Sequence, residues 1–415
     1  MRSRSENRIL NVMLIAFLSM LVPMILATRV FQSTSYLALL YMIGYTIQIV
    51  SMILVFLASP IKVNRNSLWM LVAYVIILIL PLINDLIQGI SINYYDPINS
   101  LIKVINFVFF YILMEKTEIN SDGLFRFMRF FVILSVVACV YSIVFEFNEI
   151  LSIRNISNTN SLKISSFFSN RNQYGIFLVM GLIANLYSYQ LKKQKISIYV
   201  FVLQIACILS TFSRAALFSA IIIIGMMVLQ TNSLKRNIII ISILGTVGII
   251  VLFTTGIGDY FIKNYIRLEQ SGDSGRFSLW MYAWDIAKIN LITGVGFYTG
   301  VDLAISNGMG LTQFHNMFFD LLVDGGILEV LFVVALFCTI YRHCTRKCAN
   351  KRILSVYRAS LVAFIFYSCF ESASVLALSY ADTMFDIFYI SLPLLLANMG
   401  QDNSNQVAEL PNSGN

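Results

Sequence analysis

Charged side chains are scarce in this chain: they make up 12% of its 415 residues, whereas 58% are hydrophobic. A soluble domain carries about twice that share of charge. Apolar runs of about 17–25 residues recur along nearly the whole length, and the alternating segments of about ten residues that build membrane β-barrels are absent. The sequence therefore predicts an all-α fold, a polytopic transmembrane helical bundle with no separate soluble catalytic domain.

The apolar runs predict about twelve membrane-spanning helices. Residues 1–398 are expected to form a single integral-membrane domain with one large outer loop at 255–314, followed by a polar, disordered cytoplasmic tail at 399–415. The first run has no small-residue cleavage site after it, so we expect a retained helix and not a signal peptide. The predicted spans are 9–27, 36–57, 68–87, 98–114, 124–147, 173–190, 196–212, 214–230, 237–254, 316–340, 353–371 and 378–398.

The net charge of +8 follows from where the basic residues fall. Lysine and arginine concentrate at the N-terminus and in every second loop, for example Lys192, Lys193 and Arg346. The positive-inside rule then places both termini in the cytoplasm and the large loop on the opposite side. The charge is therefore not a nucleic-acid signal, and the expected partner is the lipid bilayer.

Chemistry that needs cysteines, metals or nucleotides has little support. None of the six cysteines lies in an outer loop, so no disulfide framework is expected. Cys344, Cys348 and His343 would supply only three metal ligands, in a basic loop that repels cations. A DxD motif, a P-loop and a serine-nucleophile motif are absent. We expect neither a metal nor a cofactor.

The large outer loop has its own expected structure. Its stretch FSLWMYAWDIAKI has apolar residues at helical spacing, with Trp280 and Trp284 four apart, which predicts a short amphipathic helix at the membrane interface. GVGFYTG then turns the chain. It is not a dinucleotide fingerprint, because Gly294, Gly296 and Gly300 have the wrong spacing and no strand precedes them.

Three arginines fall on the predicted outer side. Arg214 lies between two spans with almost no loop around it. It is either an anchor that extends to the interface or a guanidinium that binds phosphate. Arg276 precedes the amphipathic helix, where an anion is favoured, and is otherwise solvated or paired with Asp273. Arg171 begins a span and is on its own a solvated flank.

His315 is one of only two histidines and begins a predicted span. It is either an interfacial histidine bonded to a carbonyl or a general base in an outer-facing cavity. Asp320 and Asp324 follow on part of the same helix face and are candidates to orient the imidazole. Asp324 would lie within the bilayer unless the helix breaks at Gly325-Gly326. Further intramembrane charges suggest a polar cavity open to the outside: Asp85, Lys103, Glu146, Glu371, Asp382 and Asp386.

The order NRN, SRAA, GRFSLW, GVGFYTG and HNMFFDLLVDGGI resembles the O-antigen polymerase and ligase superfamily, which includes the Wzy-type polymerases. The similarity covers roughly residues 167–337 and the expected topology. This chain has Asn170-Arg171-Asn172 where the family often has Asn-Pro-Asn, which adds an arginine near the site. It also has Glu329 where the family often has a small residue, which bears on local helix packing.

The resemblance implies a bacterial inner-membrane glycosyltransferase that inverts the anomeric carbon without a metal and uses undecaprenyl-diphosphate-linked oligosaccharide on the outer face. Fixed guanidinium groups would stabilise the departing diphosphate, and an imidazole would take the acceptor's proton. Carried onto this chain, the catalytic candidates are Arg214, Arg276 and His315. Candidates to bind diphosphate or glycan are Arg171, Asn172, Asn316, Asp320 and Asp324.

Three functions remain open at the sequence level. A repeat-unit polymerase is favoured, because polymerases are numerous and divergent and this chain is irregular and rich in Asn and Ile. A ligase that moves finished polymer onto lipid A core would use the same donor. A flippase for lipid-linked sugars is the third, but its expected internal repeats are not visible. Further candidate partners are a chain-length regulator and a flippase.

Overall fold

Helices account for most of the backbone that the structure describes. A computed structural model of the chain describes residues 11–15, 17–19, 21–22, 25, 34–58, 63–152, 164–168, 170–230, 276–309, 313–373, 375–377 and 385–399. The span predicted at 237–254, the first part of the large loop and the predicted tail from residue 400 onward lie outside these residues. Within them there is no β-strand, only an isolated bridge between Ile119 and Met399.

The described helices follow the predicted spans closely up to residue 230. The helix Tyr95–Asn106 continues through a π-helical stretch, Phe107–Leu113, as far as Lys116, and a second π-helical stretch, Asp386–Ser391, leads into the last helix. The helices are α1 Thr34–Ala58, α2 Arg65–Gln88, α3 Tyr95–Asn106, α4 Ser121–Phe145, α5 Phe147–Ser152, α6 Arg171–Lys192, α7 Ile196–Ser210, α8 Arg214–Leu229, α9 Arg276–Ala287, α10 Phe297–Ser306, α11 Met317–Asp324, α12 Gly326–Lys347, α13 Lys351–Ser368 and α14 Leu392–Ala397.

One predicted span is wrong as a single helix. The segment 316–340 divides into α11 and α12, because Gly325 ends the first helix and Gly326 has a φ of +67°. A residue with a side chain rarely adopts that backbone conformation. The break predicted as an alternative at Gly325-Gly326 is therefore the one observed, and it places Asp324 at a helix end. The helix predicted in FSLWMYAWDIAKI is confirmed as α9.

Five described helical segments are long and apolar enough to cross a membrane. In α2, capping fixes both ends: the Asn64 side chain accepts a hydrogen bond from the N–H of Asn66, and Gly89 closes the helix at a φ of +70°. Its large apolar side chains stay exposed, among them Trp69 at 61% and Ile87 at 77%. Exposed apolar surface of this kind fits a lipid environment. The five segments are Arg65–Gln88, Tyr95–Lys116, Ser121–Phe145, Arg171–Lys192 and Gly326–Lys347.

The chain divides into two compact units. The first comprises Met1–Phe127, Ser278–Leu354 and Ser368–Asn415. In it, α12 packs against α2, α11 and α14, and α10 packs against α3 and α11. An apolar core fills the region of α9 to α11, formed by Ala283, Ile286, Ala287, Val295, Val301, Ala304, Phe314 and Val323.

The second unit comprises Met128–Phe277 and Ser355–Tyr367. Its helices α6, α7 and α8 pack against one another. Glu146 is 7% exposed, and its carboxylate accepts hydrogen bonds from the hydroxyl of Ser142 and from the backbone N–H groups of Ser165 and Ser166. Glu146, which the sequence placed near a polar cavity, therefore binds the backbone of the segment that precedes α6.

Candidate active site

His315 lies beside Glu371 in the first unit. Its Nδ1 is 3.2 Å from Oε2 of Glu371, and the imidazole is 36% exposed while the carboxylate side chain is 9% exposed. In the tautomer that carries its proton on Nδ1, the ring donates to the carboxylate, and Nε2 keeps a lone pair. An accessible imidazole held by a buried carboxylate can accept a proton from a bound hydroxyl group.

The backbone conformation at His315 and the contacts of Asn316 fix the position of the imidazole. Its φ is +53°, in the left-handed region that residues other than glycine rarely adopt. Asn316 then caps α11, because its side-chain oxygen accepts hydrogen bonds from two N–H groups of the first turn at 2.9 and 3.4 Å. Its amide nitrogen donates to the carbonyl of Cys369 at 2.9 Å. Asn316 thereby fixes the chain on both sides of the His315–Glu371 pair.

The carboxylate that contacts the imidazole is Glu371, not Asp320 or Asp324 as the sequence suggested. The helical-face argument fails because the helix begins at Met317, so His315 lies outside it and shares no face with it. Asp320 lies inside α11 and is 4% exposed.

Asp324 is held by Lys103. The Lys103 ammonium contacts the Asp324 carboxylate and lies 2.7 Å from Oε1 of Glu329. The hydroxyl of Tyr74 donates to the same oxygen at 3.4 Å. The side chains of Lys103 and Glu329 are 3% and 0% exposed. One buried cation shared by two carboxylates explains how the unusual Glu329 is accommodated, because an unpaired buried charge would be strongly destabilising.

Backbone hydrogen bonds join the GVGFYTG and DGG motifs. The N–H of Val295 donates to the carbonyl of Val323 at 2.8 Å, and the N–H of Gly296 donates to that of Asp324 at 3.0 Å. Gly294 has a φ of +74°, and a Cβ there would clash with the Asp324 carbonyl. Gly294 and Gly326, one from each motif, are therefore needed for this close approach, and α10 packs against α11 beside it.

The three predicted arginines lie in the second unit, and each is the first residue of a helix. Arg171 begins α6, Arg214 begins α8 and Arg276 begins α9, and all three are half-buried. Asn170 caps α6 by accepting a hydrogen bond from the N–H of Gln173 at 2.9 Å. The exposed amide groups and the dipole of a helix N-terminus favour an anion, and a guanidinium there adds a fixed positive charge.

The first turns of α6 and α8 touch at a glycine. A Cβ on Gly175 would lie 2.8 Å from the Cβ of Ala216 and 3.1 Å from that of Ser213. The two helices therefore approach closely at their N-terminal ends, so Arg171 and Arg214 lie at the same end of the second unit. Asn172, in the first turn of α6, is half-buried at this end.

The sequence did not identify Glu371 or Lys103 as partners in these groups. Both were visible as charges in apolar segments, and that is the only signal they carry. Hydrophobic patterning shows which face of a helix is buried, but it does not show which of several buried charges pair across long separations. Among the described residues no cluster of three or more His, Cys, Asp or Glu side chains could hold a metal ion.

One comparison with known proteins covers the region of these motifs. A sequence model of a family described as O-antigen ligase matches residues 199–334. The matched segment contains Arg214, Arg276 and His315, and also the interlocked GVGFYTG and DGG motifs. No curated protein matches the chain. Residues 199–334, about a third of the chain, are thus similar to an O-antigen ligase domain, and this match supports a membrane enzyme that transfers glycosyl groups, of the O-antigen polymerase and ligase type.

Proposed function

We propose that this protein polymerises undecaprenyl-diphosphate-linked oligosaccharide repeat units into O-antigen or into a capsular or exopolysaccharide. It acts as an inverting, metal-independent membrane glycosyltransferase. The observation that carries the proposal is the His315–Glu371 pair, because it supplies a base for an acceptor hydroxyl inside the matched segment. The ordered family motifs and the arginines that begin three helices support the same chemistry.

The proposed transfer is a single displacement. A hydroxyl oxygen of the acceptor sugar attacks C1 of the donor glycan while its proton passes to Nε2 of His315. The bond from C1 to the phosphate oxygen breaks, and undecaprenyl diphosphate leaves from the opposite face, which inverts the configuration at C1. The Glu371 carboxylate stabilises the imidazolium that forms. The reaction needs both lipid-linked substrates to be bound close together.

The diphosphate is assigned to the arginines. Negative charge grows on the leaving group in the transition state, and Arg171, Arg214 and Arg276 can stabilise it through planar, always-charged guanidinium groups. Asn172, Asn316 and Asp320 are assigned to the glycan hydroxyls. Asp324 is a positioning residue in this account, because its carboxylate contacts Lys103 and accepts a hydrogen bond from the N–H of Phe297 at 3.2 Å.

The proposed setting is a bacterial inner membrane, with both termini in the cytoplasm and the site facing the periplasm or exterior. The charge bias of the loops supports this orientation. About twelve spans would complete the bundle, of which five are visible by length and apolarity among the described helices.

A ligase is the second candidate, and the description of the matched family as O-antigen ligase favours it. It would transfer finished polymer to lipid A core with the same donor and the same base. Only the acceptor differs, so the products in cells distinguish the two functions.

The test uses a strain that lacks its own copy of the protein and expresses His315→Ala or Arg276→Ala. His343→Ala is the matched control, because His343 is the only other histidine. With membrane levels equal, we expect both variants to leave single-repeat products and His343→Ala to restore polymer. Polymer that accumulates on the lipid carrier would mean a ligase, and repeats retained inside the cell would mean a flippase. A normal surface glycan in both variants would overturn the enzymatic proposal.

A further inference from the structure

Five aromatic rings of the first unit form a continuous strip, which we call the aromatic strip. Ring centroids are 4.0 Å apart for Tyr94 and Tyr95, 5.4 Å for Tyr95 and Tyr298, 5.3 Å for Tyr298 and Phe297, and 6.1 Å for Phe297 and Phe314. Phe314 directly precedes the histidine of the proposed site. The strip therefore connects an exposed surface with the residue next to the proposed base.

Exposure changes along the strip. Tyr94 is 65% exposed, Tyr95 46% and Tyr298 38%, whereas Phe314 is 1% exposed. The three tyrosines present their rings to the outside, and Phe314 anchors the inner end in the apolar core. An inner end fixed by packing and an outer end open to a ligand are features of a binding surface, because the fold does not need the outer rings for its own core.

A buried carboxylate holds the strip in place. Asp96 is 2% exposed and accepts hydrogen bonds from the N–H groups of Tyr298 and Thr299, each at 2.8 Å. These N–H groups belong to the first turn of α10, so Asp96 caps that helix from outside. Because Asp96 follows Tyr95 directly, this cap fixes the Tyr95 and Tyr298 rings beside each other. The tyrosines are thus preorganised, which reduces the entropic cost of binding.

Polar groups flank the same rings. Asn93 donates from its side chain to Oδ2 of Asp302 at 2.6 Å, and this pair is exposed. The backbone N–H of Asn93 donates to the hydroxyl of Thr299 at 3.0 Å, which ties the pair to the cap. Aromatic faces bordered by an exposed amide and an exposed carboxylate offer both stacking surface and hydrogen-bonding groups.

We propose that Tyr94, Tyr95 and Tyr298, with Asn93 and Asp302, form a glycan-binding subsite that holds the sugar chain away from the bond being made. A pyranose ring has an apolar face of C–H groups that stacks on the negative face of an aromatic ring, and hydroxyl groups around its edge that bond to amide and carboxylate groups. A lipid tail would use the rings but not the Asn93–Asp302 pair. The inference rests on the proposed function, because it assigns the chain held here to the substrate of the His315 site.

Binding is measured with the full chain in lipid nanodiscs. The probe is the soluble oligosaccharide released by mild acid from the host strain's own lipid-linked glycan. Tyr94→Leu and Tyr298→Leu keep apolar bulk but remove the aromatic face, whereas Tyr94→Phe and Tyr298→Phe keep it. The matched control is Tyr199→Leu, at a tyrosine of α7 in the second unit that is 73% exposed.

We expect each Leu variant to weaken probe binding about three- to tenfold, with the Phe variants and Tyr199→Leu within about twofold of the parent. In cells the Leu variants should give shorter polymer. Unchanged probe affinity in both Leu variants would overturn the subsite. So would Leu variants that bind the probe normally but leave the membrane fraction, since the tyrosines would then be interface anchors.

His315→Ala separates the two proposals. It should bind the probe like the parent and fail to transfer. If His315→Ala still transfers while the Leu variants lose probe binding, the proposed base is wrong and the glycan subsite stands. If His315→Ala fails to transfer while the Leu variants bind normally, the subsite alone is wrong.

Discussion

The Nζ of Lys103 lies 2.7 Å from Oε1 of Glu329, 226 residues further along the chain, and both side chains are buried. The same ammonium contacts Asp324, the last residue before the helix break. This shared cation joins α3 to the start of α12 and holds the DGG motif against GVGFYTG. The network lies at the C-terminal end of α11, the helix that follows His315.

Lys103→Met should destabilise the protein by about 3–5 kcal/mol, because two carboxylates would remain buried without their cation. Thermal unfolding of the detergent-solubilised protein measures the loss. The triple variant Lys103→Met/Asp324→Asn/Glu329→Gln should recover part of it, since it leaves no charged side chain in this network. Lys288→Met is the control: Lys288 pairs with Asp285 on the surface, and its loss should cost about 1 kcal/mol or less. Equal effects at Lys103 and Lys288 would refute the network.

Gly294→Ala should be more destabilising than Gly308→Ala. Both glycines have positive φ, +74° and +86°, so both variants carry backbone strain of about 1–2 kcal/mol. A Cβ at Gly294 would also meet the Asp324 carbonyl, whereas a Cβ at Gly308 would meet nothing within 4 Å. Thermal unfolding should show a clearly larger loss for Gly294→Ala. Equal losses of stability in the two variants would mean that the backbones of the two motifs do not approach each other this closely.

Arg214→Ala should lower kcat/KM for the lipid-linked donor by about 10²–10³-fold, the range expected when one fixed charge at a developing anion is removed. Arg214→Lys should recover little, because a point charge lacks the planar fork. Arg65 offers a matched control, since it also begins a helix but is exposed. The assignment of Arg214 to the diphosphate fails if Arg65→Ala and Arg214→Ala have similar kinetics.

Glu371→Gln should reduce kcat by up to about 100-fold and leave KM for both lipid-linked substrates nearly unchanged. The amide keeps the shape of the side chain but no longer stabilises an imidazolium at 3.2 Å. Initial rates at saturating donor give the comparison, with Glu118→Gln as the exposed control. A change in KM alone would make Glu371 a binding residue and would remove its role beside the base.

Helix positions could be predicted from the sequence because apolar runs of spanning length have few other solutions. The runs at 68–87 and 173–190 correspond to α2 and α6 within a few residues. The run at 316–340 forms two helices instead of one. The sequence alone did not separate them, because the composition stays apolar across Gly325-Gly326 and only the backbone shows the break.

The site was predictable in its residue types and only partly in its geometry. The sequence identifies His315 and the arginines for two reasons: charged and titratable side chains are energetically costly in an apolar chain, and these residues lie in the family motifs. The partner of His315 is 56 residues away, and a helix start at Met317 moved the imidazole off the face it was expected to share with Asp320. Local periodicity in the sequence does not reveal such pairs, because they depend on how separate segments pack.

The most direct test follows purified protein in liposomes supplied with lipid-linked single repeat units, with products weighed by mass spectrometry over time. We expect glycans of two or more repeats and one released undecaprenyl diphosphate for each new linkage, at a rate that EDTA does not change. His315→Ala should retain about 1% of that rate or less. Transfer by His315→Ala at the parent rate would contradict the proposed role of His315 as the base.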